Sequence, residues 1–214
     1  FSEKLSKAGT QPIIGTQINI RAHNIIGKIT LYAKSEDGYK NLTKLSSLSY
    51  LKSKQTEEPA CKIKDLIENN KDLILLTGNY RDFFGKLFQT NKLKNFDETI
   101  SILKRNFENR IYFEIQRHNE IDEKNYETHL LNLSKILEIP LIASQEVFYL
   151  EKDMHEAHDA LVCIGQKNFV DDNNRFKYSS EHFLKKNEEL IDLYSDIPEA
   201  LENNYNFHLR FNFK

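Results

Sequence analysis

The stretch IPLIASQEVFYLEKDMHEAHDALVCIG, residues 139–165, contains the pattern that decides the fold. Its first part, residues 140–144, is a short apolar run led by a proline. A run without polar alternation is typical of a buried parallel strand, because both of its faces are covered. The sequence turns polar at Ser144, which predicts that the strand reaches the rim of the sheet there. Sites in α/β folds are built at that rim, so Glu146 and Phe148 are expected at the edge of any site.

The same strand–helix pattern recurs along the rest of the chain. The helix after residue 144 is predicted over residues 154–164, with Asp153 as its N-cap. Further strands are predicted over residues 12–20, 28–33, 72–77, 110–116 and 208–213, with a loop containing Gly27 between the first two. Further helices are predicted over residues 1–7, after Ser35, over 62–69, 83–88 and 97–107, from Asp122, after Ser179 or Ser180, and from Ile197. This alternation predicts one α/β domain, residues 1–214, with a mostly parallel sheet.

Composition limits the class of protein. The 214 residues are 39% hydrophobic and 29% charged, with a formal net charge of −2, which is typical of a globular domain. This charge gives no basic footprint for wrapping nucleic acid. No apolar run approaches the length of a membrane span, and no signal peptide is visible. Cys61 and Cys163 are too few for a multi-thiolate metal site, so reduced thiols are expected.

Motif searches exclude several chemistries. The seven glycines form neither a dinucleotide-binding nor a phosphate-binding loop, and no GxSxG elbow supports a serine nucleophile. His155 and His158 share a helix face and could bind one metal ion. No third ligand is fixed by spacing, however, so a helix-surface or capping role is favoured for this pair.

Several polar residues are predicted to follow strand ends. His118 could belong to a site, although a rim histidine that holds a loop carbonyl is favoured. Glu146 could be a base or a ligand, but it has no partner on its own strand. Gln17, Asn79 and Gln145 are neutral amides, which are poor Zn²⁺ ligands and cannot act as general bases. A rim of amides is not a hydrolytic site.

Three stretches, taken in order, resemble the PHP (polymerase and histidinol phosphatase) domain of the bacterial DNA polymerase III alpha subunit. They are PIIGTQINI (12–20), ITLYAKSEDGYKNLTKLSS (29–47) and residues 141–165, with GYKNLTKLSS the most diagnostic segment. LLTGNYRDFFGKL and YFEIQRH also fit, and the resemblance extends over essentially all 214 residues. It implies a distorted β/α barrel with metals, where present, at the carboxyl ends of the strands.

The resemblance also implies that this chain is an N-terminally truncated fragment. The first residue is Phe1 rather than Met, and the opening residues have the pattern of a helix end that runs into Gly9. The family's opening HxH motif would precede Phe1, so the barrel is expected to lack its first strand or two. Residues 179–214 resemble the stretch that leads out toward the polymerase palm, which would lie beyond Lys214.

The ligand positions of metal-binding family members can be assigned one by one. The expected acid is Gln17, the expected histidine is Lys28, and the expected cysteine is Asn79. The strand-end D-x-H pair is Glu146 and Phe148, so only Glu146 keeps ligand chemistry. The resemblance therefore implies vestigial positions, with no metal, cofactor or catalytic residue in this chain.

Two main functional hypotheses remain open at this point, and a third, direct contact of this chain with DNA, is disfavoured by its acidic charge balance. In the first, the chain is a metal-free scaffold in a bacterial, cytoplasmic replicase. It would dock the proofreading exonuclease and other replicase subunits and contact DNA only through the parent polymerase, whose palm would use Mg²⁺. In the second, it is a metal-dependent phosphoesterase, either a 3′–5′ proofreading nuclease or a phosphatase, which requires bound Zn²⁺ or Mn²⁺.

Overall fold

The computed structural model describes residues 2–172 and 174–212, which form a mixed α/β fold around one sheet. The strand order in the sheet is β3-β1-β2-β4-β5-β6. The strands are β1 (Gly15–Ala22), β2 (Ile25–Ala33), β3 (Cys61–Lys62), β4 (Leu73–Leu76), β5 (Ile111–Ile115) and β6 (Leu141–Ala143). This architecture agrees with the α/β barrel class that the sequence predicts.

Helices connect most of the strands. They are α1 (Ser2–Lys7), α2 (Glu36–Leu51), α3 (Ile63–Glu68), α4 (Phe83–Gln89), α5 (Leu93–Phe107), α6 (Glu123–Leu137), α7 (His155–Gln166), α8 (Asn187–Leu193) and α9 (Pro198–Phe207). Short 3-10 turns lie at Lys152–Met154 and His208–Arg210. Ser35 caps α2 as predicted, because its Oγ accepts the backbone N–H of Gly38.

Most strands of the described sheet run in one direction. β2 pairs antiparallel with both β1 and β4, whereas the β1–β3, β4–β5 and β5–β6 pairs are parallel. Five of the six described strands therefore point the same way, and only β2 is reversed. This confirms the prediction of a mostly parallel sheet. Their carboxyl ends lie along the same edge, where the polar side chains of the candidate site are found.

The two faces of the sheet are buried in different surroundings. Leu73, Leu75 and Phe113 belong to the large core that packs against the helices. Ile74 and Tyr112, which alternate with them, belong to a smaller cluster that includes Phe211. Because every residue of β4 and β5 is buried, these strands read as continuous rather than alternating apolar runs.

The first two strands form a tight hairpin, which corrects the loop predicted around Gly27. The turn residues are His23 and Asn24, both with positive φ, as a two-residue hairpin turn requires. Gly27 instead lies inside β2, where the backbone of α4 approaches closely. A Cβ built on Gly27 would come within 2.5 Å of the Phe83 backbone nitrogen, so only glycine fits there.

The free edge of β6 is covered by side chains of α9. Asn203 Nδ2 donates to the Leu141 carbonyl at 2.7 Å, and Asn204 Oδ1 accepts the Ala143 N–H at 3.1 Å. These amides replace the ladder that a neighbouring strand would supply, and an exposed edge would invite pairing with another chain. The helix predicted from Ile197 is present and begins one residue later, at Pro198. Its side chains cover the β6 edge of the sheet.

Other boundary predictions in the C-terminal half are wrong. Asp153 lies within a 3-10 turn, and α7 begins only at His155. No helix follows Ser179 or Ser180 directly, because the backbone around Phe183 bridges to Tyr149, and α8 starts at Asn187.

The last predicted strand is also incorrect over the residues that the structure describes. Residues 208–210 form a 3-10 turn, after which Phe211 packs against Tyr32. Phe213, the end of the predicted strand, lies outside the described residues. Upstream, α5 begins at Leu93, four residues before the predicted Asp97. Within the described residues, no helix is long and apolar enough to cross a membrane.

Leu141→Ala tests the importance of the organising strand. Leu141 is buried in the large core, so its truncation should lower the free energy of unfolding by about 2–5 kcal/mol. Leu161→Ala on α7 is the matched control, because 65% of Leu161 is exposed, and it should change stability by less than about 0.5 kcal/mol. Urea unfolding of both variants measures the difference; equal losses would contradict the described burial.

Candidate functional site

Three strand ends bring polar side chains together at the carboxyl edge of the sheet. Asn79 follows β4, Gln116 follows β5 and Glu146 follows β6. Asn79 Nδ2 lies 3.1 Å from Gln116 Oε1 and 3.5 Å from Glu146 Oε2. The parallel pairing of these strands therefore gives Glu146 a neighbour in the segment that follows β4, although it has none on its own strand.

A buried carboxyl group lies beneath these tips. Glu114, on β5, has its Oε1 hydrogen-bonded by Ser144 Oγ and, at 3.0 Å, by Gln116 Nε2. Its Oε2 has no hydrogen-bond partner among the described residues. Burial raises the pKa of Glu114, because the ionised form loses its hydration. A charged residue inside a continuous apolar run, YFEI, was the signal that could have identified this position from the sequence.

The orientation of Asn79 opposes cation binding. Its oxygen, Oδ1, accepts the backbone N–H of Arg81 at 2.8 Å, so the amide nitrogen faces Gln116 and Glu146. A cation beside Glu146 would meet N–H donors from this side chain rather than an oxygen ligand.

Asp82 and Lys28 place two further ionisable groups at the same edge. Asp82 Oδ2 accepts the backbone N–H of Asn79 at 2.9 Å. Burial, with a smaller contribution from the nearby carboxyls of Glu114 and Glu146, raises the pKa of Asp82 to about 7, while the Asn79 N–H and Lys28 oppose the shift. Lys28 is exposed and lies at the position where the family resemblance implies a histidine ligand.

A column of stacked rings forms the other side of the site. The rings of His118 and His182 are parallel, with centroids 4.0 Å apart. Phe148 stacks on His182 at 4.9 Å and on His158 at 5.0 Å. Phe148 thus occupies the space between two imidazoles. His182 was missed in the sequence analysis, since its segment was predicted to be helical.

Backbone contacts fix which nitrogen of each of the first two rings faces the Glu146 backbone. His118 Nε2 accepts the Glu146 N–H at 3.3 Å, and His182 Nδ1 lies 3.0 Å from the Glu146 carbonyl, to which it donates. Burial, together with the neighbouring His182, lowers the pKa of His118 to about 3. His118 is thus a neutral, structural histidine. It holds a loop amide, whereas the sequence analysis favoured a loop carbonyl.

The remaining predicted positions lie apart from this cluster. Gln17 is on β1 opposite Thr30, and β2 separates it from the strand that carries Asn79. His155 Nε2 is bound to the Tyr178 carbonyl at 3.0 Å, which agrees with the surface role favoured for it. Gln145 Oε1 accepts the Lys185 N–H at 3.3 Å and has a structural contact only.

The described residues do not fit a metal centre. Within residues 2–172 and 174–212, no three His, Cys, Asp or Glu side chains converge closely enough to hold one ion. The polar atoms at the tips are mostly bonded to one another or to the backbone. The assignment of Gln17, Lys28, Asn79, Glu146 and Phe148 as vestigial positions stays a prediction.

The low pKa of the buried His118 imidazole predicts that the folded state loses stability in acid. The unfolded chain binds a proton at this imidazole below about pH 6.5, whereas the folded chain resists it down to about pH 3. The contribution of neutral His118 to the free energy of unfolding is therefore complete above about pH 6.5, and it is lost as the pH falls from there toward about 3. Between pH 7 and pH 5 the loss should be about 2 kcal/mol.

His118→Gln is the control for this measurement, since its amide oxygen can accept the same N–H without titrating. Urea unfolding of both proteins at pH 7 and pH 5 gives the difference in pH dependence. A wild-type chain no more acid-sensitive than the variant would contradict the assignment of a neutral buried imidazole.

Comparisons with known proteins agree with this fold. The family model "PHP domain" matches residues 1–118. DNA polymerase III subunit alpha of Rickettsia bellii is 35% identical over 205 residues, which are 95% of this chain and 18% of that protein. The Caulobacter vibrioides subunit is 33% identical, covering 95% of this chain and 18% of its own length. The Vibrio cholerae subunit is 30% identical, covering 99% of this chain and 19% of its own length.

The chain thus spans about a fifth of the length of the curated relatives it matches. The family model ends at the first ring of the stacked column, His118, and includes Gln17, Lys28 and Asn79. The relatives extend the similarity across Glu146 and Phe148. Because the family model covers more than half of the residues, the chain belongs to the PHP domain family.

Proposed function

We propose that this chain is the PHP segment of a bacterial DNA polymerase III alpha subunit and serves there as a metal-free scaffold and docking domain. The names of its relatives support the first part. The observation that carries the second is the inward-facing amide nitrogen of Asn79. It occupies the approach to Glu146, the one assigned position that keeps ligand chemistry.

Two further contacts support a structural role for the strand tips. The Phe148 ring fills the space between His182 and His158, where a ligand would have to enter. Lys28 brings an ammonium group to the same edge, and its positive charge would repel a divalent cation at close range. We infer that polymerisation, using Mg²⁺ in a palm outside this chain, is the activity of the whole protein.

Docking partners follow from the same proposal. As part of an alpha subunit, the chain would sit within a replicase and contact the remainder of that subunit and the proofreading exonuclease. It would hold the complex together rather than perform chemistry. We expect a bacterial, cytoplasmic setting for this assembly.

Glu146→Ala in the full-length subunit tests whether the tips bind metal. Zinc and manganese contents after dialysis should be the same in variant and wild type, and primer extension should stay within about twofold. Val147→Ala, whose side chain is partly exposed next to Glu146, is the matched control. Loss of stoichiometric metal in the glutamate variant, together with loss of 3′–5′ hydrolysis, would favour the phosphoesterase instead.

Cross-linking mass spectrometry tests the docking role. In the reconstituted complex of the full-length subunit and the exonuclease, lysines of this chain should form cross-links to the exonuclease. Exposed lysines are well distributed for this purpose, among them Lys44, Lys64, Lys94 and Lys177. Exonuclease cross-links that all fall outside this chain would refute docking while leaving the polymerase assignment intact.

A further inference from the structure

We propose that an apolar surface on α7 and the loop after it packs against the part of the alpha subunit that lies outside residues 1–214. The inference rests on the proposed function, and it names the surface by which this chain would contact the remainder of its own polypeptide. Four exposed side chains form this surface, called here the α7 surface: Leu161, Ile164, Phe169 and Val170.

Exposed hydrophobic side chains are concentrated on the α7 surface. Leu161 and Ile164 lie three residues apart on the outer face of the helix and are 65% and 75% exposed. In the loop that follows, Phe169 is 79% exposed and Val170 is 54% exposed. Single exposed apolar residues are normal, but a group of them on one surface marks a site of contact with another protein surface.

The end of α7 brings the two halves of the surface together. Lys167 has a positive φ, and its backbone N–H donates to the Ile164 carbonyl. The Asn168 N–H donates to the Cys163 carbonyl at 3.0 Å. These two bonds form the Schellman motif, which ends a helix and turns the chain back beside its last turn. Phe169 therefore follows directly after the helix end, close to the turn that carries Ile164.

A buried ion pair holds the loop after α7 in place. Arg175 forms a two-point pair with Asp159 of α7, and these side chains are only 5% and 6% exposed. The same guanidinium donates to the Val170 carbonyl at 3.1 and 3.2 Å, and Asp172 Oδ2 accepts the Phe169 N–H at 2.8 Å. Because the loop is already ordered, covering Phe169 costs little conformational entropy, as is typical of an anchor residue at an interface.

Gly165 leaves room for a close neighbour on the same surface. It is four residues from Leu161 and therefore lies on the same face of α7. Apart from its own stretch of helix, no described atom comes within 4 Å of the position that a Cβ would take there. The fold of this chain therefore does not require glycine at this position, and alanine would favour the helix. A glycine lets another backbone approach the helix closely.

The remainder of the same polypeptide is the occupant that fits the α7 surface. This chain matches 18% of the Rickettsia bellii subunit, so most of an alpha subunit lies outside it. A surface of the same polypeptide is present at a high effective concentration, whereas a second copy or a separate subunit must first be encountered. Asp171 and Asp172 are exposed beside Phe169, and their charges oppose nucleic acid and anionic lipid as occupants.

Photo-crosslinking from position 169 in the full-length subunit tests the proposal. Phe169→p-benzoyl-phenylalanine should cross-link to peptides of the same subunit outside residues 1–214, in a product of unchanged mass. Ile136→p-benzoyl-phenylalanine is the matched control, because Ile136 is 72% exposed on a different helix, α6. The yield from this control should be at least about fivefold lower, since a lone exposed side chain is not an anchor.

Three outcomes of this experiment would overturn the proposal. They are a product of doubled mass, which would place a second copy on the surface, cross-links that form only when the exonuclease is present, and a yield no higher than that of the control. Primer extension by the wild-type subunit tests the proposed function separately. Normal primer extension without the expected cross-link would refute the α7 surface alone.

Gly165→Trp in the photoreactive subunit tests the close approach to α7. The indole would fill the space beside the helix, so the cross-linking yield from position 169 should fall at least about fivefold. Gly165→Ala is the control and should keep the yield within about twofold, because its Cβ meets no neighbouring atom. Circular dichroism checks that both variants fold. Equal yields from the two variants would contradict a close neighbour at Gly165 and overturn the proposal.

Discussion

The parallel pairing of β4, β5 and β6 is the constraint on which the candidate site depends. Each strand is three to five residues long and ends at the same edge, so the residue that follows one strand meets the residue that follows the next. Glu146 is bound through its backbone to both His118 and His182 for this reason. A one-residue slip of β6 would reverse the faces of Leu141 and Ile142 and separate these groups.

Most of the polar groups at the tips are hydrogen-bonded to one another or to the backbone, which offsets part of the cost of burying them. Burying a carboxyl group costs several kcal/mol unless it is neutralised or hydrogen-bonded. For Glu114 both effects lower this cost. Burial raises its pKa, which favours the neutral form, and Ser144 and Gln116 donate hydrogen bonds to it. At the stacked imidazoles, burial and the neighbouring His182 ring lower the pKa of His118, so His118 is buried in its neutral form.

The sequence predicted strand ends far better than it predicted what surrounds them. The buried strand before Glu146, the helix after Ser35 and the polar residues after β4 and β5 all follow from local periodicity. The position of His182 does not, because its segment is held by backbone bonds to residues after β6 rather than by its own helical pattern. The hairpin at His23 was missed for a similar reason: an Asn without a following Gly is a weak turn signal.

The net charge of the chain does not describe the charge of any one part of its surface. A net charge of −2 argues against a protein that wraps DNA, but it averages over ion pairs that are already satisfied. Near the ring column, Arg81 pairs with Glu120, and both Arg175 and Lys177 pair with Asp159. Of the four cations Arg81, Lys86, Arg175 and Lys177, three are therefore already paired with carboxylates of the same chain, while Lys86 donates to a backbone carbonyl.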